Sequence, residues 1–304
     1  MVSCMFPTRF SVGKPTLDFR AGHGERSPLV VSTRRRTILL GDIFDPLTVG
    51  NYWQNSWPYK WHRQLPGKLT NSVKYKGIFQ NLSVDALYGF GNQPGAFGLG
   101  SIYAVELTYT LGPAMLNAGF QQVSVPTSAS GSAVGTSVGS SVNGAKTNFL
   151  HLSGAYQITR AVRLLAGWLH AQDKTGLTDL YMQQAGAPAL KGASPNRIDD
   201  TLYAGANWQA MPALRFTFAY YYGHARNAEM LDGSLGRGVN QSATVLAEYS
   251  FSRQTELYAA ADWARGTGAF SSDYPGGLNS AGSPTNTTGR TNQLGVAIGL
   301  RRMF

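Results

Sequence analysis

The residues with the chemistry for catalysis or metal binding are few and poorly placed for it. One G-x-S-x-G pattern, Gly135-Thr136-Ser137-Val138-Gly139, offers a nucleophilic serine. A nucleophile elbow needs a strand before the serine and a helix after it, and this serine sits in a low-complexity Ser/Gly/Val stretch. The histidines, His23, His62, His151, His170 and His224, have no i,i+4 or other ligand-like spacing, so they predict no metal site. Cys4 is the single cysteine, which excludes a disulfide framework and a cysteine zinc site. The residues therefore read as neither an enzyme nor a cofactor or metal protein.

Charge is the other chemistry on offer. The 304 residues carry 26 Lys+Arg against 16 Asp+Glu, a net charge of +10. Residues 1–70 hold ten basic and four acidic side chains (+6), and residues 71–304 hold sixteen and twelve (+4), so more than half of the excess lies in the first quarter. Such a basic balance prompts a nucleic-acid reading, but no basic helix, RNP-like strand or zinc-finger spacing supports one. Charged residues make up only 14 % of the chain, against roughly 25 % in an ordinary globular protein. Polarity resides instead in Ser, Thr, Asn, Gln and the 36 glycines. At 12 % aromatic residues the chain is too apolar for disorder, and it has no run of about 18 apolar residues that could form a membrane helix. The opening does not read as a signal peptide, its longest apolar stretch being Leu29-Val30-Val31.

The elements that position these side chains are strands. From about residue 36 onward, segment after segment alternates apolar with polar or small residues, the period of a strand. Leu82, Val84, Ala86, Tyr88 and Phe90 share one face, and Ser83, Asp85, Leu87 and Gly89 the other. Leu214, Phe216, Phe218, Tyr220 and Tyr222 alternate with Arg215, Thr217, Ala219 and Tyr221, and Leu294, Val296, Ile298 and Leu300 with Gly295, Ala297 and Gly299. About twelve such segments, each roughly nine to twelve residues long, match the length of a tilted strand crossing a bilayer. Short links, as at Phe79-Gln80-Asn81, Leu111-Gly112-Pro113 and Ser252-Arg253-Gln254, take turns with long ones at 91–100, 124–146, 172–199, 224–240 and 264–290. An outer-membrane barrel orders its short periplasmic turns and long external loops in this way. A soluble sandwich also gives alternating strands, but it puts bulky residues on the inner face and charges outside. Here the polar face is rich in Gly, Ser, Thr, Asn and isolated charges, while Tyr, Trp and Phe collect near the strand ends of the apolar face, as for a wet lumen with aromatic girdles. Without water in the hydrocarbon layer the sheet must close on itself. The expected fold is an all-β, antiparallel transmembrane β-barrel.

Several stretches resemble the Gram-negative general porins, most closely the beta-proteobacterial branch of sixteen-stranded trimeric porins. They are Thr37-Ile38-Leu39-Leu40-Gly41 leading into Phe44-Asp45-Pro46, Asn71-Ser72-Val73-Lys74-Tyr75, Ala86-Leu87-Tyr88-Gly89-Phe90, Tyr249 to Tyr258, and Val296 to Phe304. The last is the most specific, because a terminal Phe304 after alternating Ile298 and Leu300 is similar to the signal that the barrel assembly machinery reads in this family. The resemblance covers residues 36–304 and sets residues 1–35 apart as an atypical, non-porin segment.

The resemblance implies a homotrimer of water-filled barrels in the outer membrane, among outer-membrane lipid and lipopolysaccharide, passing small hydrophilic solutes and ions by passive diffusion. It places an inward-folded constriction loop at about 43–70, with Asp45, Lys60, His62, Arg63 and Lys68. Trp53, Trp57, Tyr59 and Trp61 in that loop want a surface to bury against. Fixed charges at a constriction set selectivity; alternation puts Lys74 and Lys76 on the polar face of the strand after the loop, and Arg163 and Arg215 on polar faces of later strands. With Asp42 these form the expected lumen wall. The basic members favour anions, but Asp42 stands where relatives commonly carry a basic residue, so the expected anion preference is weak.

Counting back from Phe304 makes the strand at 36–42 the fifth of sixteen. The chain thus reads as a truncated or frame-shifted porin, or as a smaller barrel of about twelve to fourteen strands. Two functional alternatives to an open channel stay in view, a truncated product without channel activity and a nonconducting, adhesin-like surface barrel. A barrel enzyme would instead need a Ser/His or Asp/His pair on an outward strand, with His151 and His170 the histidines to examine.

Overall fold

A computed structural model describes residues 29–32, 44–49, 72–91, 98–124, 146–174, 196–229, 234–270 and 292–302. Twelve strands form one sheet: β1 (Leu29–Ser32), β2 (Ser72–Phe79), β3 (Leu82–Gly89), β4 (Ile102–Leu111), β5 (Ala114–Ser124), β6 (Lys146–Gln157), β7 (Val162–Asp173), β8 (Arg197–Met211), β9 (Leu214–Glu229), β10 (Leu235–Ser250), β11 (Thr255–Gly268) and β12 (Asn292–Arg302). Each pairs antiparallel with the next in sequence order, from β1 to β12. The short helix α1 spans Pro46–Val49. β1 falls within the segment that the sequence sets apart, pairing Leu29–Ser32 with Tyr75–Ser72, while the expected strand at 36–42 lies outside the described residues.

The short links are tight turns. Between β4 and β5, Gly112-Pro113 closes a two-residue hairpin with Gly112 at φ +55°. A side chain there would meet no neighbour, so the backbone angle rather than space calls for glycine. On the long-link side the strands run further than apolar alternation predicts: β9 continues to Glu229, β10 begins at Leu235 and β11 reaches Gly268. The expected loops at 224–240 and 264–290 are shortened accordingly.

Alternation gives the sheet two unlike faces. Residues directly opposite in an antiparallel pair point the same way, so the register links side chains into rows across the strands. On one face the rows read Leu214, Tyr249, Leu257 and Leu300; Trp208, Phe216, Ala247, Ala259 and Ile298; Ala206, Phe218, Val245, Ala261 and Val296; Ala204, Tyr220, Ala243, Trp263 and Leu294. This face is exposed, with Leu294, Val296 and Ile298 at 76 %, 73 % and 74 %. So large an apolar surface belongs against lipid rather than water. The other face carries the buried polar side chains, among them Asn117, Thr147, His151, Asn207, Thr217, Thr244 and Glu248.

Candidate functional site

The inner face is a polar wall with one dry patch. Along β4 to β6, Asn117 Nδ2 donates to Glu106 Oε1 at 2.6 Å and to Thr108 Oγ1 at 2.9 Å, and Ser153 Oγ donates to Asn117 Oδ1 at 3.3 Å. His151 Nε2 lies 2.9 Å from the Tyr203 hydroxyl. Further round, Thr244 Oγ1 donates to Asp262 Oδ1 at 2.6 Å. Toward the long links, Arg197 holds Asp199 through Nε and a terminal nitrogen at 2.7 and 3.1 Å. Buried polar groups satisfied in this way fix the wall's side chains in place.

The dry patch is where Phe44–Val49 docks. Leu47 is fully buried among Phe149, Leu169, Tyr203, Tyr221 and Leu246, and Phe44 among Ala155 and Leu165. Asp45 is also fully buried. Its Oδ1 accepts the Tyr221 hydroxyl at 2.8 Å and the Leu47 amide at 2.9 Å, and Asn207 Nδ2 donates to the Pro46 carbonyl at 3.5 Å. Gly205 lies directly beneath Pro46, and a Cβ there would collide with the proline ring and the Phe218 carbonyl. A glycine at that inner-face position lets the segment approach the sheet.

The sequence-predicted charges fall in three places. Lys74 and Lys76 share the inner face of β2 and both reach Asp85 of β3, at 3.5 and 3.6 Å. Arg163 stands opposite Asn207, at the foot of the docked segment. Arg215 lies one row nearer the short turns, where its Nε donates to Glu248 Oε2 at 2.7 Å; Arg301 faces Glu248 and Glu256 at 3.5 and 3.4 Å. Asp45 is thus brought to the mid-wall beside Tyr221, whereas Arg163 and Arg215 flank its short-turn side and the two lysines lie several strands away. Asp42, Lys60, His62, Arg63, Lys68 and Phe304 lie outside the described residues. Leu300 and Ile298 face outward from β12, exposed.

Sequence reasoning did not single out Tyr221, Asn207, Gly205, Glu248, Glu256 or Arg301. The docking site had a legible signal, since Phe149, Leu165, Leu169 and Leu246 are bulky apolar residues at positions of the polar face. Of the two histidines weighed for enzyme chemistry, His151 points inward. His170 points outward with Nδ1 2.8 Å from Asp200 Oδ1. That carboxylate also accepts from Trp168 Nε1 at 3.2 Å and Arg226 at 2.7 Å, so its partners are an indole and a guanidinium rather than a nucleophilic hydroxyl.

An antiparallel sheet with a lipid-type outer face, a polar inner face and a segment docked against that inner face defines an outer-membrane β-barrel of the porin type. Residues 62–269, more than half of the chain, match the family model of the Gram-negative porins. The chain belongs to that family, a family of outer-membrane channels rather than enzymes. Among solved structures, the in-vitro-folded OmpT, an outer membrane protein of Vibrio cholerae, aligns at a TM-score of 0.60 and 15 % identity over 91 % of this chain and 76 % of that one. The anion-selective porin from Comamonas acidovorans aligns at 0.54 and 16 % identity over 78 % of this chain. The aligned region spans 60 % of the Comamonas protein. At these identities the likeness establishes the fold. No curated protein sequence matches the chain.

Proposed function

We propose that the protein forms a water-filled channel for passive diffusion of small hydrophilic solutes and ions across the outer membrane, working as a homotrimer and without a cofactor or catalysis. The observation that carries this reading is the inverted polarity of the sheet, apolar on the exposed face and hydrogen-bonded polar on the enclosed one. The segment at about 43–70, beginning with the docked Phe44–Val49, narrows the lumen, with Asp45, Lys60, His62, Arg63 and Lys68 as its charged members. Asp42, Lys74, Lys76, Arg163 and Arg215 serve as the lumen wall. Phe304, Leu300 and Ile298 present the barrel to the assembly machinery, and residues 36–304 make up most of the barrel domain, joined by β1 at Leu29–Ser32 of the leading segment.

Ion preference follows from how far the wall charges cancel. Asp85 offsets one of the two charges of Lys74 and Lys76, and Glu248 and Glu256 offset Arg215 and Arg301, which leaves one excess positive charge among these paired groups. A weak anion preference comes from that excess together with Lys60, Arg63 and Lys68 of the constriction segment. The test is single-channel recording of the refolded chain in a planar bilayer. Stepwise openings in threes, with reversal potentials displaced toward anions, are expected. Silence from protein that migrates on gels as a closed, heat-modifiable barrel would overturn the channel and make this a nonconducting surface barrel.

A further inference from the structure

Where the short turns of β8–β9 and β10–β11 come together, they enclose a cleft of about 440 Å³, within the size range of small-molecule sites. It lies at the short-turn end of the inner face, since Glu256 stands opposite Ser250 and Arg301 one row beyond Glu248. Its walls are fixed by backbone contacts. The Ser250 amide donates to the Ala213 carbonyl at 2.8 Å, and Ser252 Oγ accepts the amides of Gln254 and Thr255 at 3.2 and 3.1 Å, so the turn that carries Arg253 is pinned from within. Pro212 and Ala213 form an apolar side, and Arg253, Gln254, Glu256 and Arg301 supply the polar one.

The charges around this cleft match in number but not in contact. Arg215 Nε donates to Glu248 at 2.7 Å, whereas Glu256 has its one ion pair among the described residues with Arg301, 3.4 Å away and shared with Glu248 at 3.5 Å. Glu256 Oε1 accepts no hydrogen bond among the described residues, and 17 % of the side chain stays exposed. Arg301 is itself held over the Tyr258 ring, 5.1 Å from its centroid. Arg253 is exposed and has no ion pair among the described residues. The cleft thus sets a cation without a counterion beside an under-compensated carboxylate.

We propose that this cleft binds the zwitterion of an α-amino acid with an uncharged side chain, its carboxylate on Arg253 and Gln254, its ammonium on Glu256 and its side chain against Pro212 and Ala213. The sign pattern selects the class. A plain anion drawn to Arg253 meets Glu256, and a plain cation drawn to Glu256 meets Arg253 and Arg301, so a solute of either single sign faces repulsion. A zwitterion meets an opposite charge at both ends and adds no net charge to the cleft. Guanidinium matches carboxylate oxygens with paired donors, and the pinned turn holds Arg253 within reach of the Glu256 side.

This inference rests on the water-filled lumen of the proposed function only for access to the cleft, so it is read by binding, without any current. The refolded full chain in detergent is titrated calorimetrically with L-leucine, with L-leucine methyl ester, which keeps the ammonium and lacks the carboxylate, and with 4-methylpentanoate, which keeps the carboxylate and lacks the ammonium. Leucine is expected to bind at least tenfold tighter than either of the others. Arg253→Gln brings leucine down to the level of the methyl ester, and Glu256→Gln brings it to that of 4-methylpentanoate, whereas Arg302→Gln, on the outward face of the same rim, leaves leucine binding intact. Heat-modifiable migration checks that each variant is folded, and Arg253, on an exposed turn, reads the site whether or not Glu256→Gln folds. Equal binding of the three ligands by the unaltered chain, no binding of leucine, or an unchanged leucine affinity in Arg253→Gln overturns the site. The same loss from Arg302→Gln overturns it in favour of general charge. Silence in bilayer recordings from a chain that still binds leucine in this order overturns conduction and supports the cleft.

Discussion

Two inner-face contacts concentrate the consequences of single residues. Asp85 sits between Lys74 and Lys76, so the three form a triad with one excess positive charge. Lys74→Ala removes that excess and should move the reversal potential toward cations, while Asp85→Asn adds to it and should move the potential toward anions. An unchanged potential in both variants would place the triad away from the ion path. The Tyr221 hydroxyl on the buried Asp45 carboxylate is a contact of another kind, because it joins a wall strand to a segment 176 residues distant in sequence. A hydrogen bond to a charged group contributes about 1.5–3 kcal/mol, and Tyr221→Phe removes it with little change of shape. Open-channel noise is expected to rise several-fold in that variant while heat-modifiable migration stays normal. Quiet openings would mean that Leu47 and Phe44 alone hold the segment.

Strands were legible wherever lipid demands apolar residues on one face, and illegible beyond that. From β2 to β12 the alternation of apolar with small or polar residues assigns both the element and its facing, as in Leu214 to Tyr222. Once β9, β10 and β11 leave the hydrocarbon layer, outward positions hold His224, Arg226, Arg237 and Arg265. The hydrogen-bonded ladder continues there with no sequence period to announce it, which is why the loops read as too long. The docking of Phe44–Val49 was only half legible: bulky residues at inner-face positions of β6, β7 and β10 mark a dry patch, but nothing local links Asp45 to Tyr221. Depth along the outer face gives the element-scale prediction. Successive rows are roughly 7 Å apart along a strand, or about 5 Å along the membrane normal at a tilt near 40°, so the five rows from Tyr249 to Tyr222 span roughly 20 Å, close to the ~25 Å apolar band of such barrels. Val245→Lys, in the middle row, should lower stability by ~2–4 kcal/mol in urea unfolding from lipid vesicles, and Val239→Lys, at the rim, by ~0–1 kcal/mol. Equal losses would show that the rows do not track membrane depth.

At the scale of the whole molecule the open question is physical rather than topological. Among the described residues β12 pairs with β11 alone, which leaves alternate backbone groups of its other edge to be satisfied. Water can do this for a soluble sheet, but the hydrocarbon layer has no donors or acceptors, and each unmet group there costs several kcal/mol. The outward side chains of β12 are Leu294, Val296, Ile298 and Leu300, all strongly exposed and apolar, so the strand lies at membrane depth and its free edge cannot stay free. A channel therefore requires that edge to be closed by another strand, and closure has a signature that conductance lacks. Amide hydrogen exchange in lipid vesicles is expected to show every residue from Leu294 to Leu300 protected, both those bonded to β11 and those pointing away from it. Protection confined to alternate residues would leave a water-exposed edge in the sheet, and with it neither a sealed lumen nor a channel.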